Sequence, residues 1–492
     1  LAVVRKDRGR IRVKAEMDYI MSSHIGSKTD RSKATLARLR ALRRVQRQAF
    51  AYTLREDHPA LFMEMRLGKT LVAIRRCLLY KPRNPSIGLR ILVIAPNSAL
   101  PSWELELKKE RERDVVYLHG PRKKRLELLG AGHRWNLLNK EGWMVIPEIE
   151  DEEFDAVIVD ESTIIKNIRA GITRFLVYRF DGVPHRWALS GLPNPENDME
   201  FWSQIAWVNG GYAFGSDNFY QWRNRWFVQP DYGYGYHPLP GVLDEIHEEV
   251  GERAFVMTRQ EAGMEVPKVY ERRWLDLPKK LRRSYETAEK DFVLEYGDQL
   301  HDRTFHRLVT STWRRQMCDG FVDGKMVWDG KVRETVSLMD QQLSRQSVVV
   351  WFAYNRGLRK TVHALKKAKI KTEALTGKVK MRERRNIQRR FQKGRFRVLC
   401  AQIKCADRGV DLSRASAAMY FSNSPSCEER TQTEDRILDV SQDETLLYID
   451  LVVRDSVDAD MSYGLTGKKT RSQNSLNAAI IHGLRQRSGQ CA

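Results

Sequence analysis

The stretch Leu61-Phe62-Met63-Glu64-Met65-Arg66-Leu67-Gly68-Lys69-Thr70 decides the fold. Mostly apolar residues lead into Gly-Lys-Thr, and the run from Leu71 to Tyr80 reads as helix. That is the strand–loop–helix setting of a phosphate-binding loop, where backbone N–H groups and a helix N-terminus cradle phosphate oxygens. Gly68, Lys69 and Thr70 are the expected nucleotide-binding residues. Lys69 neutralises the β- and γ-phosphates of ATP, and the Thr70 hydroxyl binds Mg2+. The full loop pattern Gly-x-x-x-x-Gly-Lys has a glycine five residues before Gly68, where Met63 stands. Gly-Lys-Thr by itself is equally a turn before a helix, so the order of the downstream segments has to carry the reading.

The second anchor is Phe154-Asp155-Ala156-Val157-Ile158-Val159, an apolar strand closed by Asp160-Glu161. An acid at a strand end opposite a phosphate loop holds Mg2+, and a second acid beside it orients the attacking water. Asp160 is therefore assigned to the metal and Glu161 to catalysis; an exposed loop start is the alternative. Upstream, Leu36 to Leu54 reads as an amphipathic helix. It carries Gln46, whose amide can donate to and accept from an adenine edge. Arg186 to Pro193 reads as strand then loop, with Ser190 placed to sense the γ-phosphate.

Composition narrows the class. At 492 residues, two or three domains are expected. A formal charge of +22 favours a polyanionic partner, most simply nucleic acid, over a merely solvated basic surface. Six cysteines without a zinc-like pair fit a reduced, intracellular setting. No apolar run reaches transmembrane length, so no membrane role is expected.

The remaining chain alternates strands with helices, which argues parallel sheets with ligand loops at the strand carboxyl ends. Expected strands are Leu89–Ala95, Val115–Leu118 and Met144–Ile146, and Trp103 to Glu110 reads as helix. Residues 200–240 are rich in aromatics. The tryptophans there are read as core, whereas the tyrosines of Tyr232-Gly233-Tyr234-Gly235-Tyr236 are equally suited to stacking on bases. A long basic helix is expected over Lys279–Arg315. A second α/β pattern begins near Lys331, with strands at Val348–Phe352, Glu373–Leu375, Arg397–Ala401, Ala417–Phe421 and Tyr448–Val453. The expected organisation is a basic arm (1–35), a first lobe (36–230), a mainly helical, aromatic-rich intervening region (231–330), a second lobe (331–465) and a basic tail (466–492).

The segments, taken together and in order, resemble the SNF2-like branch of superfamily 2 helicases and DNA translocases. Leu42-Arg43-Arg44-Val45-Gln46 resembles the adenine-reading motif, and Glu64 to Thr70 resembles motif I. Ile94 to Leu100 with Trp103 resembles motif Ia. Asp160-Glu161-Ser162-Thr163 followed by Ile165-Lys166-Asn167 resembles motif II, and Ser190-Gly191-Leu192-Pro193 motif III. Val349 to Phe352 falls where motif IV is expected, Gly409-Val410-Asp411-Leu412 resembles motif V, and Gln432 to Gln442 motif VI. The resemblance covers roughly residues 36 to 465.

The resemblance implies two RecA-like lobes of α/β class with ATP between them and Arg436 of motif VI stabilising the transferring phosphoryl. It places Ser98, Lys166, Asn167, Lys404 and Arg408 on loops that contact the nucleic-acid backbone. The implied activity is a DNA-dependent ATPase driving a motor on duplex or branched DNA, of a compact bacterial or phage type. Such a chain would act in the cytoplasm as a monomer when free, with any protein partner unspecified. A strand-separating DNA or RNA helicase and an ATPase-impaired nucleic-acid-binding scaffold are the alternatives.

Four departures stand out. Arg66 replaces a glycine, and an arginine enters a glycine-type backbone angle only at a cost. Thr163 replaces a histidine, and Arg408 a small residue. In motif VI, Asp439 stands where the family has its second arginine, leaving Arg436, with Arg408 or Arg430, to reach the γ-phosphate.

Overall fold

The computed structural model describes residues 41–180, 182–229, 235–295, 312–322, 324–405, 411–439 and 444–489. The chain divides into two compact units, Leu1–Gly263 with Ser472–Ala492, and Met264–Arg471. The expected arm, the tyrosines at 232 and 234, and residues 406–410 with Arg408 lie outside the described residues.

The first unit is built on one parallel sheet. Its strands are β1 (Ala60–Met63), β2 (Ile91–Ala95), β3 (Val115–Tyr117), β4 (Trp135–Asn139), β5 (Ala156–Asp160) and β6 (His185–Ser190). A short hairpin, β7 (Phe227–Val228) with β8 (His237–Pro238), precedes the last strand, β9 (Ala254–Met257). The order across the sheet is β3-β4-β2-β5-β6-β1-β9. β1, β2 and β5 are buried along their whole length, which is why they read as unbroken apolar runs: a parallel sheet is covered on both faces. This order puts the carboxyl ends of β5, β6 and β1 side by side, so Asp160, Ser190 and the loop after Met63 converge.

The second unit repeats the plan with β10 (Lys268–Leu275), β13 (Val348–Phe352), β14 (Thr372–Leu375), β15 (Val398–Gln402), β16 (Ala417–Tyr420) and β17 (Leu446–Val453). A hairpin of β11 (Phe321–Val322) and β12 (Lys325–Met326) lies between the first two. The parallel order is β10-β17-β16-β13-β15-β14. Apolar clusters around Val349, Trp351 and Leu399, and around Val350, Phe352 and Cys400, take up alternate residues of its central strands.

Several expectations need correction. Met144–Ile146 is not a strand: Gly142–Met144 forms one 3-10 turn. The strand is Trp135–Asn139, which sequence reading passed over because Asn136 interrupts its apolar run; that amide donates to the His133 carbonyl at 2.7 Å. Among the described residues the helix expected over Leu36 to Leu54 runs Arg44–Thr53, with Arg43 extended as its cap. The intervening region carries the helices Val242–Arg253, Arg259–Ala262 and Lys279–Glu295, and between them β9 joins the first sheet and β10 the second. The stretch read as a basic tail continues the helix Val457–Gly489. Leu476, Ala479 and Ile480 of that helix are buried in the core of the first unit. In the same core lie Trp202, Trp207 and Trp222, as expected of the tryptophans. Each fully buried large side chain contributes about 1.5–3 kcal/mol.

Candidate nucleotide-binding site

The phosphate loop follows from β1. After Met63 the chain turns through Arg66 at φ 68° and Gly68 at φ 93°, then opens the helix Lys69–Cys77. The turn at Gly68 leaves no room for a side chain: a Cβ there would lie 2.1 Å from Gln46 Nε2. Gln46 is thus packed against the loop. Its Oε1 already accepts the Arg43 backbone N–H at 2.9 Å, so its amide is committed in part to the helix cap rather than wholly to a base edge. Arg66 does adopt the left-handed angle that its family counterpart leaves to glycine. Its carbonyl accepts from Arg43 Nη2 at 3.1 Å.

Glu64, at the start of the loop, has a structural task. Its carboxylate accepts the Arg259 backbone N–H at 2.8 Å and pairs with Arg259 Nε at 3.2 Å. The loop is therefore tied to the segment following β9. Sequence reading missed Arg259 because its partner is 195 residues away.

Lys69 is almost wholly buried, and its ammonium donates to the Met63 carbonyl at 2.6 Å. Thr70 is half-buried in the first helical turn. Opposite, at the end of β5, Asp160 is buried. Its Oδ2 accepts from Trp103 Nε1 at 2.7 Å, and its Oδ1 accepts the Glu161 N–H at 3.0 Å. Burial raises the Asp160 pKa, opposed by the Trp103 bond, the Lys69 charge and the Glu161 N–H. Glu161 is held at φ 50°, a left-handed angle that costs an L-residue roughly 1–2 kcal/mol. Backbone strain of this kind concentrates at working sites. The third segment also arrives here, since a Cβ on Gly191 would lie 3.6 Å from Lys69 Nζ. Ser190 is buried, and its hydroxyl accepts the Leu192 N–H at 3.2 Å.

Gln204 links two of these segments. Its Oε1 accepts from the Ser162 hydroxyl at 2.6 Å, and its Nε2 donates to the Pro193 carbonyl at 2.7 Å. It is fully buried in the helix Phe201–Val208, among the aromatics read as core. A lone glutamine in that apolar run was the signal available in the sequence.

A hydroxyl and a carboxylate from Thr70 and Asp160 are hard oxygen donors that suit Mg2+. Among the described residues no group of three or more His, Cys, Asp or Glu forms a metal cage. The donor set fits an ion that shares its shell with phosphate oxygens and water.

In the second unit, Arg436 ends the helix Cys427–Arg436 and is half-buried, and its carbonyl accepts the Leu412 N–H at 3.0 Å. Arg430, the expected helper, is sequestered. It donates to Glu434 at 2.9 Å, Asn423 at 2.6 Å and Asp450 at 2.5 Å, with its guanidinium 3.4 Å from the Tyr420 ring centre. It holds the helix in place and is not on offer to a phosphate.

The backbone-contact candidates differ among themselves. Asn167 and Lys404 are exposed and Ser98 is half-buried. Lys166 pairs with Glu200 at 3.1 Å. Tyr220 is exposed, with the Arg169 and Arg223 guanidiniums 5.8 and 5.4 Å from its ring centre.

A phosphate loop, a strained acid pair and a second parallel-sheet unit with an arginine-terminated helix define an ATPase architecture of the helicase-like class. The family model described as the SNF2-related domain matches residues 46–322, and the helicase conserved C-terminal domain matches residues 330–440. The chain belongs to the SNF2-related family. It is 23% identical over 448 residues to the putative ATP-dependent helicase/translocase YwqA of Bacillus subtilis, covering 85% of this chain and 46% of that protein. It is 24% identical over 482 residues to the DNA annealing helicase and endonuclease ZRANB3 of Homo sapiens, covering 92% of this chain and 42% of that protein. The Sulfolobus solfataricus SWI2/SNF2 ATPase core in complex with dsDNA aligns at TM-score 0.42 and 17% identity, covering 91% of this chain and 96% of that one. The chain spans less than half the length of these curated relatives.

Proposed function

We propose that this chain is an ATP-dependent motor on double-stranded DNA, a translocase or a remodeller of forks and branches. The observation that supports it most is the phosphate-loop constellation: buried Lys69 beside the Asp160–Glu161 turn, in a chain of the SNF2-related family. In this reading Lys69 exchanges the Met63 carbonyl for β- and γ-phosphate oxygens, replacing a dipole by a charge as its partner. Mg2+, when bound, neutralises charge developing on those oxygens. Thr70 and Asp160 hold the ion, Glu161 orients the attacking water, and Arg436 supplies positive charge to the transferring phosphoryl.

DNA as partner is supported by the +22 charge and by the names of the relatives. Ser98, Asn167 and Lys404 are the proposed backbone contacts, and Lys166 joins them only by leaving Glu200. Such contacts make binding salt-sensitive and largely indifferent to sequence. A free monomer in the cytoplasm of a bacterium or phage-infected cell belongs to the same proposal.

The test is ATP hydrolysis with no nucleic acid, single-stranded, duplex and forked DNA, and RNA, with Lys69→Ala alongside. Stimulation by duplex, lost in the variant, is the expected result; stimulation by RNA alone would overturn the duplex assignment. Strand displacement accompanying hydrolysis would move the reading to a helicase. A second reading, an ATPase-impaired DNA-binding scaffold, is favoured by Asp439 in motif VI and by the sequestration of Arg430. Salt-sensitive DNA binding without turnover on any substrate would establish it.

A further inference from the structure

The acid at the end of β5 is held by a tryptophan from another element. Trp103 lies in the helix Leu100–Lys109 after β2 and is fully buried. Its ring packs on Trp135, with centroids 6.4 Å apart. Its indole N–H meets Asp160 Oδ2 at 2.7 Å. An indole nitrogen only donates, so this bond has one direction, toward a carboxylate acceptor. At this length it is a charge-assisted bond. The other oxygen, Oδ1, takes the Glu161 N–H at 3.0 Å. One donor on each oxygen fixes the carboxylate against rotation about its own axis and still leaves each oxygen acceptor capacity.

We propose that Trp103 is a positioning residue that sets the Mg2+ affinity of the nucleotide site by orienting Asp160; this rests on the nucleotide reading above. Its part is indirect, through the Asp160 carboxylate. Partners of this kind behind a metal ligand contribute about 10–100-fold in metal affinity. A phenylalanine at position 103 keeps an aromatic ring in the core but removes the only donor the side chain has. Asp160 then keeps the Glu161 N–H and loses its second fixed direction.

The experiment titrates MgCl2 into the full chain with a fluorescent ATP analogue, in wild type, Trp103→Phe and Trp135→Phe. The last variant is the packing control, because it alters the same aromatic pair without touching Asp160. For Trp103→Phe the Mg2+ half-saturation rises about 10–100-fold, while analogue binding in EDTA stays within about twofold of wild type. Trp135→Phe leaves the Mg2+ half-saturation where it was. Equal Mg2+ requirements in wild type and Trp103→Phe overturn the inference. An equal rise in both variants overturns it too, since packing alone would then be the cause. If Trp103→Phe melts early, replacing Trp103 by benzothienylalanine, which keeps the fused ring and lacks the N–H, decides on the same readout. A wild type without Mg2+-dependent binding overturns the nucleotide reading itself, a result distinct from failure of the Trp103 assignment alone.

Discussion

Two buried cations in the two units are partnered in opposite ways. Lys69 of the phosphate loop donates to the Met63 carbonyl at 2.6 Å and, more weakly, to the Glu64 carbonyl at 3.5 Å. Arg430 of motif VI is bonded to the carboxylates of Glu434 and Asp450 and stacked on Tyr420. A carbonyl dipole gives way to a phosphate far more readily than a carboxylate does. On the function proposed above the first cation changes partner when nucleotide binds, whereas the second is committed to its fold. Strain divides in the same way: Arg66 and Glu161 hold left-handed angles at the first site, and no described residue of the motif VI helix does. Charge at a motif position therefore says little about use until the partner is known.

The largest expected effect breaks the first half of this comparison. Lys69→Ala should lower DNA-stimulated ATP hydrolysis by at least about 10²–10³-fold, measured by phosphate release, with little change in the unfolding midpoint. Arg430→Ala should do the reverse. Removing one partner from this buried network leaves Glu434 and Asp450 short of a cation, at a cost of about 3–5 kcal/mol in chemical denaturation. The same network sets a pH dependence. Burial raises the Glu434 pKa, but Lys469, Arg430 and Lys268 outweigh it and hold the carboxyl well below the usual range. A depressed carboxylate stabilises above its unfolded value of about 4.5, and that contribution is lost as pH falls below it. Acid denaturation of the wild type should therefore steepen below that pH, and Glu434→Gln should flatten the curve.

A smaller effect sharpens the picture of strain at the first site. Arg66→Gly should relieve the left-handed angle and stabilise the chain by up to about 1 kcal/mol, net of glycine's larger unfolded-state entropy. A destabilised variant would show that the Arg66 side chain contributes more than its backbone costs. The smallest effect concerns His58, two residues before β1. Its Nδ1 accepts the Arg186 backbone N–H at 3.1 Å, which requires the neutral ring. Burial and the nearby Arg186 charge lower its pKa to about 4. The unfolded chain takes up a proton below about 6.5 and the folded one resists until about 4, so stability falls as pH drops through that window. His58→Asn should remove this part of the slope in thermal melts between pH 7 and about 4, a modest change because the ring is only half-buried.

Much of the site was legible in the chain. Gly68-Lys69-Thr70 and Asp160-Glu161 follow apolar runs long enough to be buried strands, and the structure places both at the carboxyl edge of one sheet, on strands separated only by β6. Arg66 stood out only because the family resemblance puts a glycine at its position, and the structure gives it a left-handed angle. Three features were not legible. Trp135–Asn139 hides as a strand behind two asparagines. Gln204 hides in an aromatic helix, and the role of Glu64 depends on Arg259.

By itself the sequence determined most of the segments that become buried strands, where the phosphate loop turns and which acids end a strand. These are local matters of apolar period, glycine and strand termination. Only the tertiary structure decided which polar groups serve the site and which serve the scaffold. Trp103 finds Asp160 across 57 residues and Glu64 finds Arg259 across 195. A hydrogen bond or ion pair is settled by distance in space, to which spacing along the chain is blind.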